Sequence, residues 1–279
     1  MFIFRLFSFT IFIILFLASI FIENVIGFII FSVLCLFLSY FAILEFSQMI
    51  SRENKNYYFI ITPAVGTVIV IAFLARNDYT VAYMVMAFFS VFSWIYMLFA
   101  AQNKDSLIKI LNSAASIFCI VVPLSFLIIL YNESRLLLLY LVLVTKTGDT
   151  AAYITGTLTH NIFKNNHKIV PSISPKKSWE GTIGGLVFCV IVSIVLWKYM
   201  LTDSYMDVSS VMLALAGVVL FVGGFAGDLA ESALKRICGV KDSGRIVPGM
   251  GGTLDVVDSL MLNAPAFYLC IFIFKNIKF

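Results

Sequence analysis

The strongest constraint in this sequence is the length of its uninterrupted apolar runs. From residue 7 onward Phe, Ile, Leu, Val and Ala arrive in continuous blocks of about 20 residues, the length a helix needs to cross a bilayer core. The blocks are not amphipathic stripes, and they do not alternate polar and apolar as barrel strands do, so helices are the expected spanning element. Composition agrees: 61% of the 279 residues are hydrophobic and 12% charged, too few polar side chains to clothe a water-exposed globule. The sequence therefore predicts an all-α, polytopic transmembrane helix bundle.

Cutting at charged and Pro/Gly/Asn-rich breaks gives about nine spans, near 7–22, 25–44, 58–75, 80–101, 107–131, 136–158, 181–200, 209–227 and 258–274. The first has Arg5 ahead of an apolar run, as a signal peptide does, but a second span follows at once and a retained helix is expected. With alternate loops on opposite sides, 13 of the 19 Lys and Arg residues collect on one side. The positive-inside rule makes that side cytoplasmic, giving an N-in, C-out topology. Two long polar connections, 159–180 and 228–257, fall there. Residues 1–140 read as scaffold or lipid-facing helices, and residues 141–279 as the region that carries chemistry.

Several classes are excluded or disfavoured. The five Cys residues show no CxxC pair, and His160 and His167 have no Cys or carboxylate between them, poor spacing for a metal site. There is no GxxxxGK[ST] loop and no GxGxxG after a strand, so familiar soluble nucleotide folds are absent. The DxxDG…ARx…D arrangement of the CDP-alcohol phosphotransferases is missing too, as are a GxSxG elbow and HExxH.

Three polar clusters remain. Thr145 to Tyr153 places Lys146 and Asp149 at the end of an apolar span, where charge is costly unless paired, with Asp149 and Tyr153 on one helical face. An internal Lys146–Asp149 ion pair holding helices together is the alternative to a functional role. Lys168 to Gly181 carries Ser174, Lys176 and Lys177 in a Pro-stiffened cationic loop, suited to phosphate or simply to lipid head groups. The third cluster runs from Gly227 to Ser259. If 228–238 is helical, Asp228, Glu231, Ser232 and Lys235 share one face, and Asp255 and Asp258 repeat the i,i+3 spacing. Carboxylates beside Lys and Arg suit a hard cation such as Mg²⁺ carrying a polyphosphate. The glycines between Pro248 and Thr253 let backbone N–H groups approach an anion, although a charge-paired loop without ligand has the same composition.

At these residues the chain resembles the phosphatidate cytidylyltransferases, or CDP-diacylglycerol synthases. Ser232 to Asp258 follows their C-terminal signature, and GDLxES at 227–232, SPKK-x-x-EG at 174–181 and Asp-x-x-x-Tyr at 149–153 are similar as well. The resemblance covers about 145–260. Two positions depart from it: Met250 stands where the family usually has His, and Val256 where it usually has Arg.

The resemblance implies attack by the phosphate of phosphatidic acid on the α-phosphorus of CTP, giving CDP-diacylglycerol and pyrophosphate. That phosphate is already ionised near neutral pH, so the step needs no general base and loss of an imidazole at 250 is survivable. Neutralising the polyphosphate and positioning it in line are indispensable. The resemblance assigns Asp228, Asp255 and Glu231 to the metal, with Lys176, Lys241 and Asp258 completing the catalytic set. Substrate contacts fall to Lys168, Ser174, Lys177, Ser232, Lys235 and Arg236, to Asp242, Gly251 and Gly252 in the loop, and to Asp149 and Tyr153 lining the cavity. The implied cofactor is Mg²⁺, with a second, monovalent cation left open. The implied partners are CTP, phosphatidic acid and membrane lipids, no nucleic acid, and a second copy of the chain as a homodimer. The implied setting is a bacterial inner membrane with the site facing the cytoplasm. The rival readings are another CTP-dependent lipid transferase or kinase, and a degenerate lipid-binding paralogue or transporter.

Overall fold

The structure, a computed structural model, describes residues 2–50, 65–71, 84, 87, 91, 111–164, 166–249 and 251–276. Its labelled helices are α1 (Phe2–Phe21), α2 (Val25–Ile50), α3 (Leu111–Glu133), α4 (Arg135–Phe163), α5 (Trp179–Met200), α6 (Ser210–Ile237) and α7 (Thr253–Asn276). Among the described residues, α2 to α7 are six helices long and apolar enough to cross a membrane. The chain is thus a helical integral membrane protein. The expected span 80–101 and most of 58–75 lie outside the described residues, apart from a helical stretch over 65–71 and single helical positions at 84, 87 and 91.

Two features differ from the sequence reading. The all-α expectation omits a small antiparallel hairpin in the connection 159–180, with β1 (Lys168–Val170) paired to β2 (Ser174–Ser178) in the register Lys168↔Ser178 and Val170↔Ser174. Pro171 and Pro175 stiffen that segment, and extended backbone is what a residue preceding Pro prefers. Both polar connections are also shorter than expected, because α4 continues to Phe163 and α6 to Ile237. A helix satisfies its own backbone and needs no apolar side chains to continue into water. At 29 and 28 residues these two are roughly 42–44 Å long, against a hydrocarbon core of about 30 Å. Each is therefore long enough to cross the core with its polar C-terminal turns to spare.

The helix ends have identifiable stops. Lys164 closes α4 in the left-handed region at φ 58°, its N–H donating to the His160 carbonyl at 2.8 Å. Ser178 opens α5, its Oγ accepting from the Gly181 N–H at 3.2 Å. Asn166 Nδ2 donates to the Gly156 carbonyl at 2.6 Å and ties the hairpin to α4.

The described chain divides into two compact units. One comprises residues 1–129 with 238–257, the other 130–237 with 258–279. In the first, Phe12 of α1 meets Phe37 of α2 at a centroid separation of 6.1 Å, and Phe37 lies 4.7 Å from Phe41 on its own helix.

In the second unit the α4/α5 contact follows from small residues at four-residue spacing. Gly148, Ala152 and Gly156 face Gly181, Gly185 and Cys189. A Cβ added at Gly185 would sit 2.9 Å from the Gly148 carbonyl oxygen and 2.8 Å from the Ala152 Cβ, and one at Gly181 2.6 Å from the Ala152 carbonyl oxygen. Lipid offers no hydrophobic drive for helix association, so such backbone-to-backbone approach is what holds membrane helices together. Away from this crossing, Tyr140 of α4 shares a 2.5 Å hydrogen bond with Ser193 of α5, stacks on Phe267 of α7 and meets Trp197 edge-on. Ser193 in turn donates to the Leu213 carbonyl of α6 at 2.6 Å. One polar chain thereby links three helices.

Gly185→Val should part α4 from α5 and lower stability by about 2 kcal/mol or more, as overpacking does. Val187→Ala, on the exposed face of α5, should change little. Thermal midpoints of the purified proteins in detergent test the contrast, and equal midpoints would contradict the close-packing account.

Candidate active site

The candidate site lies in the second unit, where the polar end of α6 meets α7. Asp228 and Glu231 are three residues apart on one face of α6, as the sequence predicts for a helix at 228–238. Asp258 comes to them from α7 because α6 carries glycine at 227. A Cβ there would lie 2.5 Å from the Asp258 carbonyl oxygen and 3.3 Å from the Ser259 Cα. One oxygen from each of Asp228, Glu231 and Asp258 falls within 4.8 Å of the others.

Cations stand beside this acidic group. Lys177 Nζ lies 2.9 Å from Asp228 Oδ2, and Lys235 Nζ 2.6 Å from Glu231 Oε2. Lys177 also donates to the Phe225 carbonyl at 3.1 Å and sits 4.0 Å from the centre of the Phe225 ring, which fixes the ammonium over the face of α6. Ser232 Oγ donates to Asp228 Oδ1 at 3.3 Å. Glu231 and Lys235 are both nearly excluded from solvent, with side chains 6% and 12% exposed. A carboxylate so buried persists as an anion only with such a partner.

A second polar layer comes from α4. Lys146 Nζ lies 3.6 Å from Asp149 Oδ2 and donates to Ser259 Oγ at 2.9 Å, so it joins α4 to α7 one residue from Asp258. The Lys146–Asp149 ion pair named as the structural alternative is therefore present, and the charges of Lys146, Asp149, Asp228 and Asp258 are close enough to interact. Beneath them, buried Asn263 donates to Thr145 Oγ1 at 2.8 Å. The sequence reading included Thr145 and Ser259 in its polar clusters without giving them a role, and it passed over Asn263. Polar residues inside apolar spans were the available signal.

Other sequence-selected residues are placed as follows. Lys176 and Lys177 are adjacent in β2 and so point to opposite faces: Lys177 is half-buried against α6, and Lys176 is exposed. Lys168 is exposed on β1, Ser174 is half-buried, and Tyr153 is exposed on α4. Arg236 Nε donates to the Ile173 carbonyl at 3.4 Å and braces the hairpin turn against α6.

The remaining signature residues belong to the first unit. Lys241 and Asp242 are exposed, and Val256 is half-buried in the first turn of α7. Val247 and Gly251 exchange backbone hydrogen bonds of 3.1 and 3.2 Å, with Gly251 at φ 102°. Asp255 Oδ2 accepts from the Gly252 N–H at 2.8 Å, from the Ser243 N–H at 3.1 Å and from Ser243 Oγ at 2.9 Å. The described three-carboxylate grouping does not include Asp255, whose observed contacts close this loop. Met250 lies outside the described residues.

The donor set of the second unit suits a hard divalent cation. Mg²⁺ takes oxygen ligands at about 2.1 Å, so two ligands on opposite sides stand about 4 Å apart. A 4.8 Å spread of carboxylate oxygens therefore closes on the ion with small side-chain movements. What fold and site define is a polytopic membrane protein with an acidic cluster, flanked by lysines, at the polar end of α6. The chain belongs to the Cytidylyltransferase family, whose model matches residues 3–274. It is 45% identical over 128 residues to a phosphatidate cytidylyltransferase of Staphylococcus haemolyticus (strain JCSC1435), a match covering 46% of each chain. It is 50% identical over 97 residues to phosphatidate cytidylyltransferase 4, chloroplastic, of Arabidopsis thaliana, covering 35% of this chain and 24% of the relative. A relative named only as uncharacterized protein YnbB, from Escherichia coli (strain K12), is 39% identical over 133 residues, covering 48% of this chain and 41% of that one. In each case the match spans less than half of the relative's length.

The buried Glu231–Lys235 pair generates a test. Lys235→Met strands the Glu231 carboxylate and should cost about 3 kcal/mol of stability, whereas Glu231→Gln/Lys235→Met should recover most of it. Denaturation of these variants and of Glu231→Gln in detergent closes the cycle, and losses that simply add would show that the pair is not coupled.

Proposed function

We propose that this chain is a Mg²⁺-dependent phosphatidate cytidylyltransferase. The observation that carries the proposal is the Asp228–Glu231–Asp258 cluster with Lys177 and Lys235 beside it, in a member of the Cytidylyltransferase family. A phosphate oxygen of phosphatidic acid attacks the α-phosphorus of CTP. A new P–O–P bond forms, the bond to the β-phosphate breaks, and its electron pair leaves with pyrophosphate.

Asp228, Glu231 and Asp258 would hold the metal, which when bound supplies positive charge to the polyphosphate and orients it. Lys177 and Lys235 answer the carboxylates' charge in the absence of substrate. Each ammonium already stands at the cluster and would be free to contact phosphate oxygens once the carboxylates were otherwise neutralised. Lys177 is better placed for this than Lys176, which is exposed. Ser232, Asp149 and Tyr153 are proposed to line the nucleotide and lipid side of the site. Lys241, Asp242, Gly251, Gly252 and Asp255 are proposed to act from the signature loop, where Asp255 shapes the glycine turn in addition to the metal role read from the sequence. No side chain is required as general base, since the attacking phosphate is ionised already.

Orientation and assembly follow the same reading. The excess of Lys and Arg on one side supports N-in, C-out insertion in a bacterial inner membrane with the site toward the cytoplasm, where CTP is found. A homodimer is proposed from the family resemblance, and the catalytic region is proposed to be residues 141–279 on a scaffold of 1–140.

Purified protein given phosphatidic acid and cytidine-labelled CTP should move label into the organic phase only with Mg²⁺. Asp228→Asn should abolish the transfer while expression persists. Lys177→Met should reduce it on the order of a hundredfold, the scale of one lost phosphate-stabilising charge, and Lys176→Met by less than tenfold. Label remaining in the aqueous phase, with folded protein and alternative lipids, would overturn the proposal. Transfer of the γ-phosphate in place of cytidine would reassign the protein as a lipid kinase.

A further inference from the structure

A carboxylate far outside the motif region reaches the signature loop. Glu45 sits on α2, the second helix of the chain, in a run otherwise almost wholly apolar, and is 1% exposed. Within the first unit its Oε1 accepts the Thr253 N–H at 3.0 Å, and its Oε2 accepts the Leu254 N–H at 3.0 Å and Ser243 Oγ at 3.1 Å. Thr253 and Leu254 are the first two residues of α7, so their N–H groups have no partner inside the helix. A helix N-terminus also carries partial positive charge, which offsets the cost of burying the anion. Glu45 thus caps α7 from another helix, two hundred residues away in sequence.

The loop is shaped to admit this side chain. A Cβ at Gly244 would lie 2.6 Å from the Glu45 Cδ and 2.9 Å from its Cγ, and one at Gly252 would lie 2.7 Å from the same Cδ. The two glycines therefore make room for the carboxylate on either side. The Ser243 hydroxyl stands between Glu45 and Asp255, and its one proton serves either of them at a time. Asp255 closes the loop from within and Glu45 holds it from α2.

We infer that Glu45 is a positioning residue, which fixes Ser243, Gly244, Gly252 and the start of α7 in the geometry that the nucleotidyl transfer requires. The inference rests on the transferase reading above for its catalytic consequence and on the hydrogen bonds alone for its structural one. It gives the N-terminal helices a task beyond lipid-facing support. The acceptor-only carboxylate is what the three donors require. An amide at 45 keeps one acceptor but turns the other into a donor, facing groups that themselves donate.

The experiment compares full-length wild type with Glu45→Gln and Glu45→Asp in detergent, by hydrogen exchange and by steady-state kinetics. In Glu45→Gln, exchange of the Thr253 and Leu254 amides should accelerate about tenfold or more, the effect of one lost hydrogen bond to a charged acceptor, with α4 to α6 unchanged. Its kcat should fall by a similar factor with KM for phosphatidic acid within about twofold, and Glu45→Asp should recover part of both losses. Unchanged exchange at 253 and 254 would overturn the inference. So would a kcat loss no larger than the loss of folded protein, with exchange raised throughout, because that pattern belongs to a residue of general stability. An inactive wild type that still shows the local change would support the loop-holding role and overturn only the transferase reading.

Discussion

The architecture of the second unit depends on bringing three carboxylates together between membrane helices without expelling them from one another. Like charges within 4.8 Å repel strongly in a medium of low polarity, so the arrangement stands only if something opposes the repulsion. Gly227 permits the approach by removing the side chain that would keep α6 off α7, and Lys177 and Lys235 oppose the repulsion with ammonium groups within 3 Å of Asp228 and Glu231. Other features then read as supports. The β1–β2 hairpin aims Lys177 at α6, Arg236 holds the hairpin's turn, and the α4/α5 glycine crossing fixes the helix from which Lys146 reaches Ser259.

The first unit meets a related demand by different means. There the anions are Glu45 and Asp255, and the groups that satisfy them are backbone N–H donors and a serine hydroxyl. Backbone donors cannot move away as lysines can. The second unit has counter-charges on flexible side chains, while the first has a fixed polar frame around a glycine turn. In the proposed function this contrast would divide a site that exchanges ligands from a loop that keeps its shape.

Much of this was legible in the sequence, for physical reasons that can be named. Lipid forces backbone self-satisfaction, so the helical spans followed from apolar run length alone. Asp228, Glu231, Ser232 and Lys235 followed from a 3.6-residue period. Helix ends were less legible, because a polar turn costs a helix nothing once it has left the lipid, and α4 and α6 therefore run on to Phe163 and Ile237. The β1–β2 hairpin was hidden in a segment that reads as a stiff loop. With it was hidden the alternation that separates Lys177 from its exposed neighbour Lys176. Gly227 and Glu45 were the harder cases. The importance of Gly227 lies in what a side chain would strike on α7, and that of Glu45 in a loop two hundred residues distant; neither relation has a local period. A lone carboxylate in an apolar span was nevertheless a signal for Glu45.

Occupation of the carboxylate cluster by a divalent ion is the point on which the account turns. The direct measurement is titration of the purified protein with Mn²⁺ as a paramagnetic stand-in for Mg²⁺, followed by electron paramagnetic resonance, for wild type and for Asp228→Asn, Glu231→Gln and Asp258→Asn. The account predicts a saturable site that Mg²⁺ displaces and that each substitution weakens on the order of tenfold or more. Mn²⁺ binding that is equally strong in all four proteins, or absent from a folded wild type, would contradict it.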